Sequence, residues 1–345
     1  MDTIISLTNG FSVALQPWNI FYCVIGVLWG TIVGVLPGLG PMAGLALLLP
    51  LTFKLDPNSA IIMLAGIFYG AMYGGSTTSI LVRIPGEAAS VITCIDGHEM
   101  AKKGRAGPAL VVSALGSWFG GTVSVLVLML FAPLLSELML TVGPPATFSL
   151  MVVALILMGL VGSSSTLKTF TMIVAGLLLG TVGLDAMSGV ARFTYGSLHV
   201  MDGMSFVAMA LGLFGISEIL LNLEKVADLR PIRPTFKSLT PTLKDLKDSA
   251  PAVGRGTVIG CLFGIVPGIS HVISTFVSYA LEKKLSKFPE EFGKGRIEGV
   301  AGPETANNAT TGTSMIPLLV LGIPSIPATA ILLSALMIHG IEPGP

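Results

Sequence analysis

The chain has 345 residues, 52% of them hydrophobic and only 11% charged, far below the quarter usual in soluble domains, so a water-soluble globular fold is excluded. The formal net charge is zero, with 19 basic and 19 acidic residues, so bulk charge points neither to nucleic acid nor to a steered ligand. Cys23, Cys94 and Cys261 are odd in number and scattered, which argues against a disulfide framework, and the four histidines show no metal-ligand spacing.

The distribution of charge is more telling than its total. No Asp, Glu, Lys or Arg lies between Asp2 and Lys54, Asp56 and Arg83, Arg105 and Glu137, or Glu137 and Lys168. The same holds between Arg255 and Glu282 and between Glu304 and Glu342. A helix crossing the bilayer core needs roughly 20 mostly apolar residues, which each gap supplies. The expected fold class is an all-α polytopic membrane protein with inverted repeats, broken helices and re-entrant hairpins.

In chain order, Met1 to Pro17 reads as an interfacial start rather than a removed signal, because it lacks a basic n-region and a cleavage site. Apolar segments follow near 18–36 and 42–53, split at Pro37-Gly38, and near 58–74 and 76–93, the latter holding Arg83 and Pro85-Gly86. Unbroken spans are expected near 107–133, 146–163, 168–186 and 204–222. Residues 223–255 are polar, with Lys225, Arg230, Arg233, Lys237, Lys244, Lys247 and Arg255 among acids and prolines, and read as a cytoplasmic linker. Residues 1–222 then form a first repeat, and 256–345 begin a second that the chain does not complete.

Two glycine–proline breaks carry the repeat. Gly30-x-x-x-Gly34-x-x-Pro37-Gly38 recurs as Gly260-x-x-x-Gly264-x-x-Pro267-Gly268. Each is followed by a hydroxyl-rich apolar stretch and a second break, Ser76–Ser79 before Pro85-Gly86 and Thr310–Ser314 before Pro324. Pro removes a backbone donor, and in hydrocarbon the freed groups survive only against protein or a water-filled cavity. Paired breaks at matching positions of two halves point to a transporter's substrate site. Basic residues collect on the cytoplasmic side. For Lys283, Lys284, Lys287, Lys294 and Arg296 to join Lys102, Lys103, Arg105 and the linker, 256–282 must enter and return as a re-entrant hairpin.

These motifs carry a family resemblance. Gly34-Val-Leu-Pro-Gly-Leu-Gly-Pro41, Tyr73-Gly-Gly-Ser-Thr-Thr-Ser-Ile80, Ile84-Pro-Gly-Glu-Ala-Ala-Ser-Val91 and Ala101-Lys-Lys-Gly-Arg-Ala-Gly107 resemble the large membrane subunit of tripartite tricarboxylate transporters, the TctA family. So do Pro303-Glu-Thr-Ala-Asn-Asn-Ala309, Leu321-Gly-Ile-Pro324 and His339-Gly-Ile-Glu-Pro-Gly-Pro345. The resemblance covers essentially the whole chain. It implies a bacterial inner-membrane, multi-pass permease for secondary active uptake of a citrate-like tricarboxylate or related carboxylate. It further implies coupling to Na⁺ or H⁺, a small TctB-like membrane subunit and a periplasmic TctC-like solute-binding protein. Family members run well beyond the Pro-Gly-Pro motif, so the chain reads as a fragment.

A carboxylate leaving water needs fixed donors, and helix starts offer free N–H groups with a partial positive charge. The expected substrate-binding residues are Gly75, Ser76, Thr77, Thr78 and Ser79, opening a short helix before Pro85, with Asn307, Asn308, Thr310, Thr311, Gly312 and Thr313 in the second half. Small residues and hydroxyls in membrane helices also serve packing and back-bonding, and Gly30-x-x-x-Gly34 and Gly116-x-x-x-Gly120 are read that way. Arg83 is either a site cation or a side chain that snorkels or pairs with Glu87. Glu304, with Asn308, either binds the coupling cation or caps the following helix from its first turn. His271 reads as a packed residue rather than a proton relay, and Asp96 with 102–105 as a solvated turn. No cofactor, metal or catalytic constellation is expected: no His-Glu-x-x-His, paired Asp or Gly-x-Ser-x-Gly occurs. An uncoupled channel is the alternative function, with an intramembrane enzyme behind it.

Overall fold

The computed structural model describes residues 2–36, 39–140, 166–185, 190–201, 240–266 and 271–344, with isolated positions between them. Pro37, Gly38, Pro267 and Gly268, most of the expected spans 146–163 and 204–222, and residues 223–239 lie outside the described residues. The chain begins with α1 (Asp2–Ala14) and α2 (Pro17–Val35), whose Pro17 sits in the first turn, where a missing N–H costs nothing. After the first break come α3 (Gly40–Thr52) and α4 (Pro57–Val82), the latter started by Asp56, whose carboxylate accepts from the N–H groups of Asn58 and Ser59. A 3₁₀ turn (Ala88–Val91), α5 (Thr93–Lys102) and α6 (Ala106–Leu140) follow. Then come α7 (Thr166–Gly180), a two-residue antiparallel pair of β1 (Gly183–Leu184) and β2 (Ala191–Arg192), and α8 (Leu198–Met201). The second half holds α9 (Leu243–Ile265), α10 (His271–Leu285), α11 (Glu298–Thr313), α12 (Met315–Leu321) and α13 (Pro327–Ile338). Among the described residues, Pro17–Val35, Pro57–Val82 and Ala106–Leu135 are long and apolar enough to cross a membrane, and this is a membrane protein.

Two boundaries differ from expectation. Residues 58–74 and 76–93 do not form two segments. One helix runs from Pro57 to Val82 and ends where Arg83 adopts left-handed backbone, φ 58°, ahead of Pro85. Gly74 and Gly75 lie inside it rather than breaking it, since hydrocarbon favours a helix that keeps every backbone bond. The polar stretch 223–255 is helical from Leu243 onward, because Thr242 and Asp245 exchange capping bonds there.

Helix pairs in the two halves close by the same device. Along α2, Gly26, Gly30 and Gly34 lie on the backbone of α4 at Met63, Ile67 and Ala71. A Cβ on any of the three would fall 2.2–2.3 Å from the carbonyl oxygen it faces. Along α9, Gly256, Gly260 and Gly264 meet Gly302, Ala306 and Thr310 of α11 in the same spacing. Small residues one turn apart let backbones approach where lipid supplies no hydrophobic drive between helices. Gly116 and Gly120 of α6 likewise accommodate Thr305, so the packing role holds for both pairs. Leu45, Leu64, Phe68, Leu318 and Ile331 form one core that ties α3 and α4 to α12 and α13.

At one end of the molecule the basic clusters meet. Lys103 Nζ donates to the Lys294 carbonyl, Arg105 pairs with Asp245 at the start of α9, and Arg255 forms a two-pronged bond to the buried Glu282. Burial would raise the Asp245 pKa, but the Thr242 N–H and the Arg105 guanidinium outweigh it and hold the carboxyl below its ordinary range. A depressed carboxyl stabilises the fold above its unfolded pKa, about 4, and loses that contribution as pH falls through the folded value. Wild type should therefore melt above Asp245→Asn at pH 6, and the gap should close below about pH 4; a gap constant with pH would exclude ionisation as its source.

Candidate functional site

A cavity of about 420 Å³ opens where three helix starts converge. Gly40, Pro41 and Met42 enter from α3, His271 and Val272 from α10, and Pro327 and Ala328 from α13. Pro85, Gly86, Glu87, Ala88 and Ala89 form a further wall. The first N–H groups of a helix have no partner within it and carry about half a positive charge, so these starts favour an anion, with Pro41 and Pro327 offering no N–H and the Ile326 N–H donating to Thr329 Oγ1. The second break of the first half is seated tightly: a Cβ on Gly86 would fall 2.2 Å from the Gly34 carbonyl oxygen and 2.5 Å from the Gly75 Cα. Only glycine lets the turn after α4 press against the end of α2.

Polar side chains stand behind the wall. Glu87 Oε2 accepts from the Ala89 N–H at 2.6 Å, and Oε1 accepts from Asn307 Nδ2 at 3.0 Å. Asn308 Nδ2 donates to Ser117 Oγ at 2.8 Å and to the Glu304 carbonyl at 3.2 Å. Glu304 is fully buried midway along α11, and one of its oxygens accepts from Thr93 of α5. His271 is buried at the first position of α10, its Nε2 3.2 Å from Thr311 Oγ1 and its ring edge-on to Phe68. Elements of both halves therefore meet at one place: Asn307 reaches Glu87, and Glu304 reaches Thr93.

The sequence pattern of the tripartite tricarboxylate transporter TctA family matches residues 20–345. The chain belongs to that family. It is 50% identical over all its 345 residues to an Agrobacterium vitis protein described as "Uncharacterized 52.8 kDa protein in TAR-I ttuC' 3'region", of which it covers 69%. An 86-residue part, a quarter of the chain, is 58% identical to "Uncharacterized protein in TAR-II ttuC' 3'region" of the same organism and covers 36% of it. No solved structure matches. TctA proteins are the large subunits of tripartite transporters, so the cavity belongs to a transport protein.

Within this family member the expected site residues fall into two groups. Pro85 and Gly86 line the cavity, and Pro324 lies in the turn that leads to α13. The hydroxyl residues do not open helices. Ser76, Thr78 and Ser79 sit inside α4 and donate to the carbonyls of Tyr73, Gly75 and Gly75, while Thr77 is half-buried. Thr310, Thr311 and Thr313 sit inside α11 and donate to carbonyls one turn back, and Gly312 presses on Ser124 and Tyr69. Their own helix carbonyls absorb these protons, as hydroxyls in apolar helices commonly do. Gly75, buried beside Glu87, gives that side chain room, and Asn307 bonds to it.

Arg83 is exposed at the end of α4, and the Glu87 carboxylate accepts from Asn307 and Ala89 rather than pairing with it. Glu304 does not cap a helix: it lies in the second turn of α11, and Glu298 occupies the first. Asp96 is not in a solvated turn. It is fully buried and accepts from the N–H groups of Gly293, Gly295 and Arg296 and from the Tyr279 hydroxyl. For Glu87 the sequence reading gives only a pairing with Arg83; its place directly after Pro85-Gly86, an acid in an apolar run, is the available signal.

Proposed function

We propose that this TctA subunit carries a tricarboxylate or related carboxylate across a bacterial inner membrane, holding it in the cavity between α3, α10, α13 and the Pro85–Ala89 turn. The observation that carries this reading is the convergence of three helix starts on one cavity, each following a proline in the sequence: Pro37, Pro267 and Pro324. A volume of about 420 Å³ falls within the roughly 300–1,000 Å³ usual for small-molecule sites. The matched glycine rows of α2 on α4 and of α9 on α11 support a pair of inverted repeats, with α2–α3 and α9–α10 as re-entrant hairpins. Alternating access then moves the cavity-bearing helices against the unbroken ones. Delivery by a periplasmic binding protein, a small membrane partner and energy from a Na⁺ or H⁺ gradient belong to the same proposal. Of the cation pair Glu304 and Asn308, Glu304 brings the negative charge, and the Asn308 amide donates to Ser117 Oγ and to the Glu304 carbonyl.

The test is uptake of labelled citrate by cells bearing the full-length protein with its two partners. Ala88→Trp projects from an exposed position into the cavity and should cut uptake more than tenfold at unchanged protein level. Ala88→Ser should not. Uptake independent of the binding protein would reject the tripartite assignment, and flux independent of any ion gradient would favour a channel.

A further inference from the structure

We infer that His271 Nδ1 accepts a hydrogen bond from a hydroxyl on the substrate, so that the cavity selects hydroxycarboxylates over carboxylates lacking that hydroxyl. This rests on the transport reading above and deepens it by naming the substrate group that one side chain reads.

His271 is 4% exposed, stands at the first position of α10 and lines the cavity. Its two ring nitrogens are in different situations. Nε2 lies 3.2 Å from Thr311 Oγ1, and the single proton of that hydroxyl goes to the Asn307 carbonyl at 3.0 Å. Toward the ring Thr311 can only accept, so the imidazole proton sits on Nε2 and Nδ1 keeps its lone pair. Nδ1 has no hydrogen-bond partner among the described residues. Nor is it one of the polar atoms sealed inside the protein, so its lone pair opens onto the cavity that the residue lines. The Thr311 bond and the edge-on contact with Phe68, 6.1 Å between ring centroids, hold the ring in that orientation.

What can sit opposite that nitrogen follows from its chemistry. A lone pair repels the oxygen of an ionised carboxylate, and an acceptor shut away from water without a donor costs free energy. Helix-start N–H groups take carboxylate oxygens, whereas Nδ1 needs a hydrogen. Glu87, the other ionisable side chain lining the cavity, cannot give one: its carboxylate is itself an acceptor, receiving from the Ala89 N–H and the Asn307 amide. A second proton on the ring would need a counter-charge, and among the described residues no carboxylate forms an ion pair with His271. The substrate must therefore bring the hydrogen. On a fully ionised hydroxy acid, the hydroxyl is the group that carries it.

Selectivity follows from the alternative. An acid without the hydroxyl meets the same N–H groups but sets a methylene or a carboxylate oxygen against Nδ1, where it has displaced the water. Sites built to hydrogen-bond a substrate hydroxyl reject the analogue lacking it far more strongly than apolar pockets reject a change of size. His271 is thus packed through Nε2 and a ligand through Nδ1.

The experiment is equilibrium binding of labelled citrate to the purified full-length protein in detergent, competed by citrate or by tricarballylate, which is citrate without its hydroxyl. Wild type should prefer citrate by roughly tenfold or more. His271→Gln keeps a polar atom near the Nε2 position but no acceptor at that of Nδ1, and should lose the preference by weakening citrate alone. His271→Asn places an amide oxygen at the Nδ1 position and should recover it. Equal competition by the two acids in wild type, the result expected if a protonated carboxyl faced Nδ1, would overturn the inference without any variant having to fold. So would a preference that survives in His271→Gln, or a loss there shared equally by both acids, which is what a packing role alone produces. The two readings fail separately. Saturable binding and uptake of both acids without discrimination sinks only the hydroxyl contact, while no binding and no uptake of either sinks the transport reading and the contact with it.

Discussion

Gly260→Ala and Gly30→Ala should each prevent a helix pair from closing, cutting the yield of monodisperse protein severalfold in mild detergent. A Cβ on Gly30 would lie 2.2 Å from the Ile67 carbonyl oxygen, and one on Gly260 would lie 2.4 Å from that of Ala306. Carbon and carbonyl oxygen settle at about 3.3–3.6 Å even in the close contacts between helices, so each pair must separate by roughly 1 Å. The obstructing atoms are backbone and cannot rotate away. Overpacking ordinarily costs about 1–3 kcal/mol, and the upper end is expected where both sides are helix main chain. Separation also breaks register along the whole row, since Gly26 and Gly34, or Gly256 and Gly264, face the same partner. Gly254→Ala is the control. It lies on α9 with nothing within 4 Å of the added carbon and should be neutral or slightly stabilising. Normal yield from both Gly30→Ala and Gly260→Ala would show that the rows do not set the helix spacing.

The helical membrane class, the two glycine rows and the positions flanking the breaks were legible because each leaves a local mark. Charge-free runs of bilayer length mark spans, Gly-x-x-x-Gly marks close approach, and Pro-Gly marks an interruption. The expected segments 18–36 and 42–53 appear as α2 and α3, within two residues at each end. The meeting of the three basic clusters also followed from a simple rule about loops and sides. Legibility failed where a residue's partner is far away in sequence. Ser76 to Ser79 looked like donors aimed at a ligand, because composition cannot say which carbonyl takes a hydroxyl proton; in α4 it is the one three or four residues back. Glu304 looked like a first-turn residue because Pro303 suggested a helix start, but α11 begins at Glu298 and carries Pro303 inside it. Glu87 and Asn307 lie 220 positions apart, and nothing in one sequence pairs them.

Asp96→Ala should be among the most destabilising single substitutions in this protein. The carboxylate, fully buried, gathers the N–H groups of Gly293 at 3.0 Å and of Gly295 and Arg296 at 2.7 Å, with the Tyr279 hydroxyl at 2.7 Å. Those N–H groups converge because Gly293 and Gly295 take φ of +84° and +96°, which a side chain would resist. Such a concave run of amides is an anion nest, here filled by the protein's own carboxylate. Removing it leaves several donors without partners, each costing roughly 1–3 kcal/mol where water does not reach. Water will relieve part of this at the open end of the turn, so a total of about 3 kcal/mol is expected, high for one side chain. Asp96→Asn keeps the shape and one acceptor but sets an NH₂ against N–H donors, and should fall between. Tyr279→Phe removes a single bond and should cost about 1 kcal/mol. Thermal melts in detergent rank the three, and protease cutting within 289–297 should rise in the same order. Equal melts for wild type and Asp96→Ala would show that the turn holds itself. The consequence extends past the turn. Thr93, one helical turn before Asp96 on α5, is the donor to Glu304, so the nest that fixes α5 also fixes one side of the buried carboxylate behind the cavity.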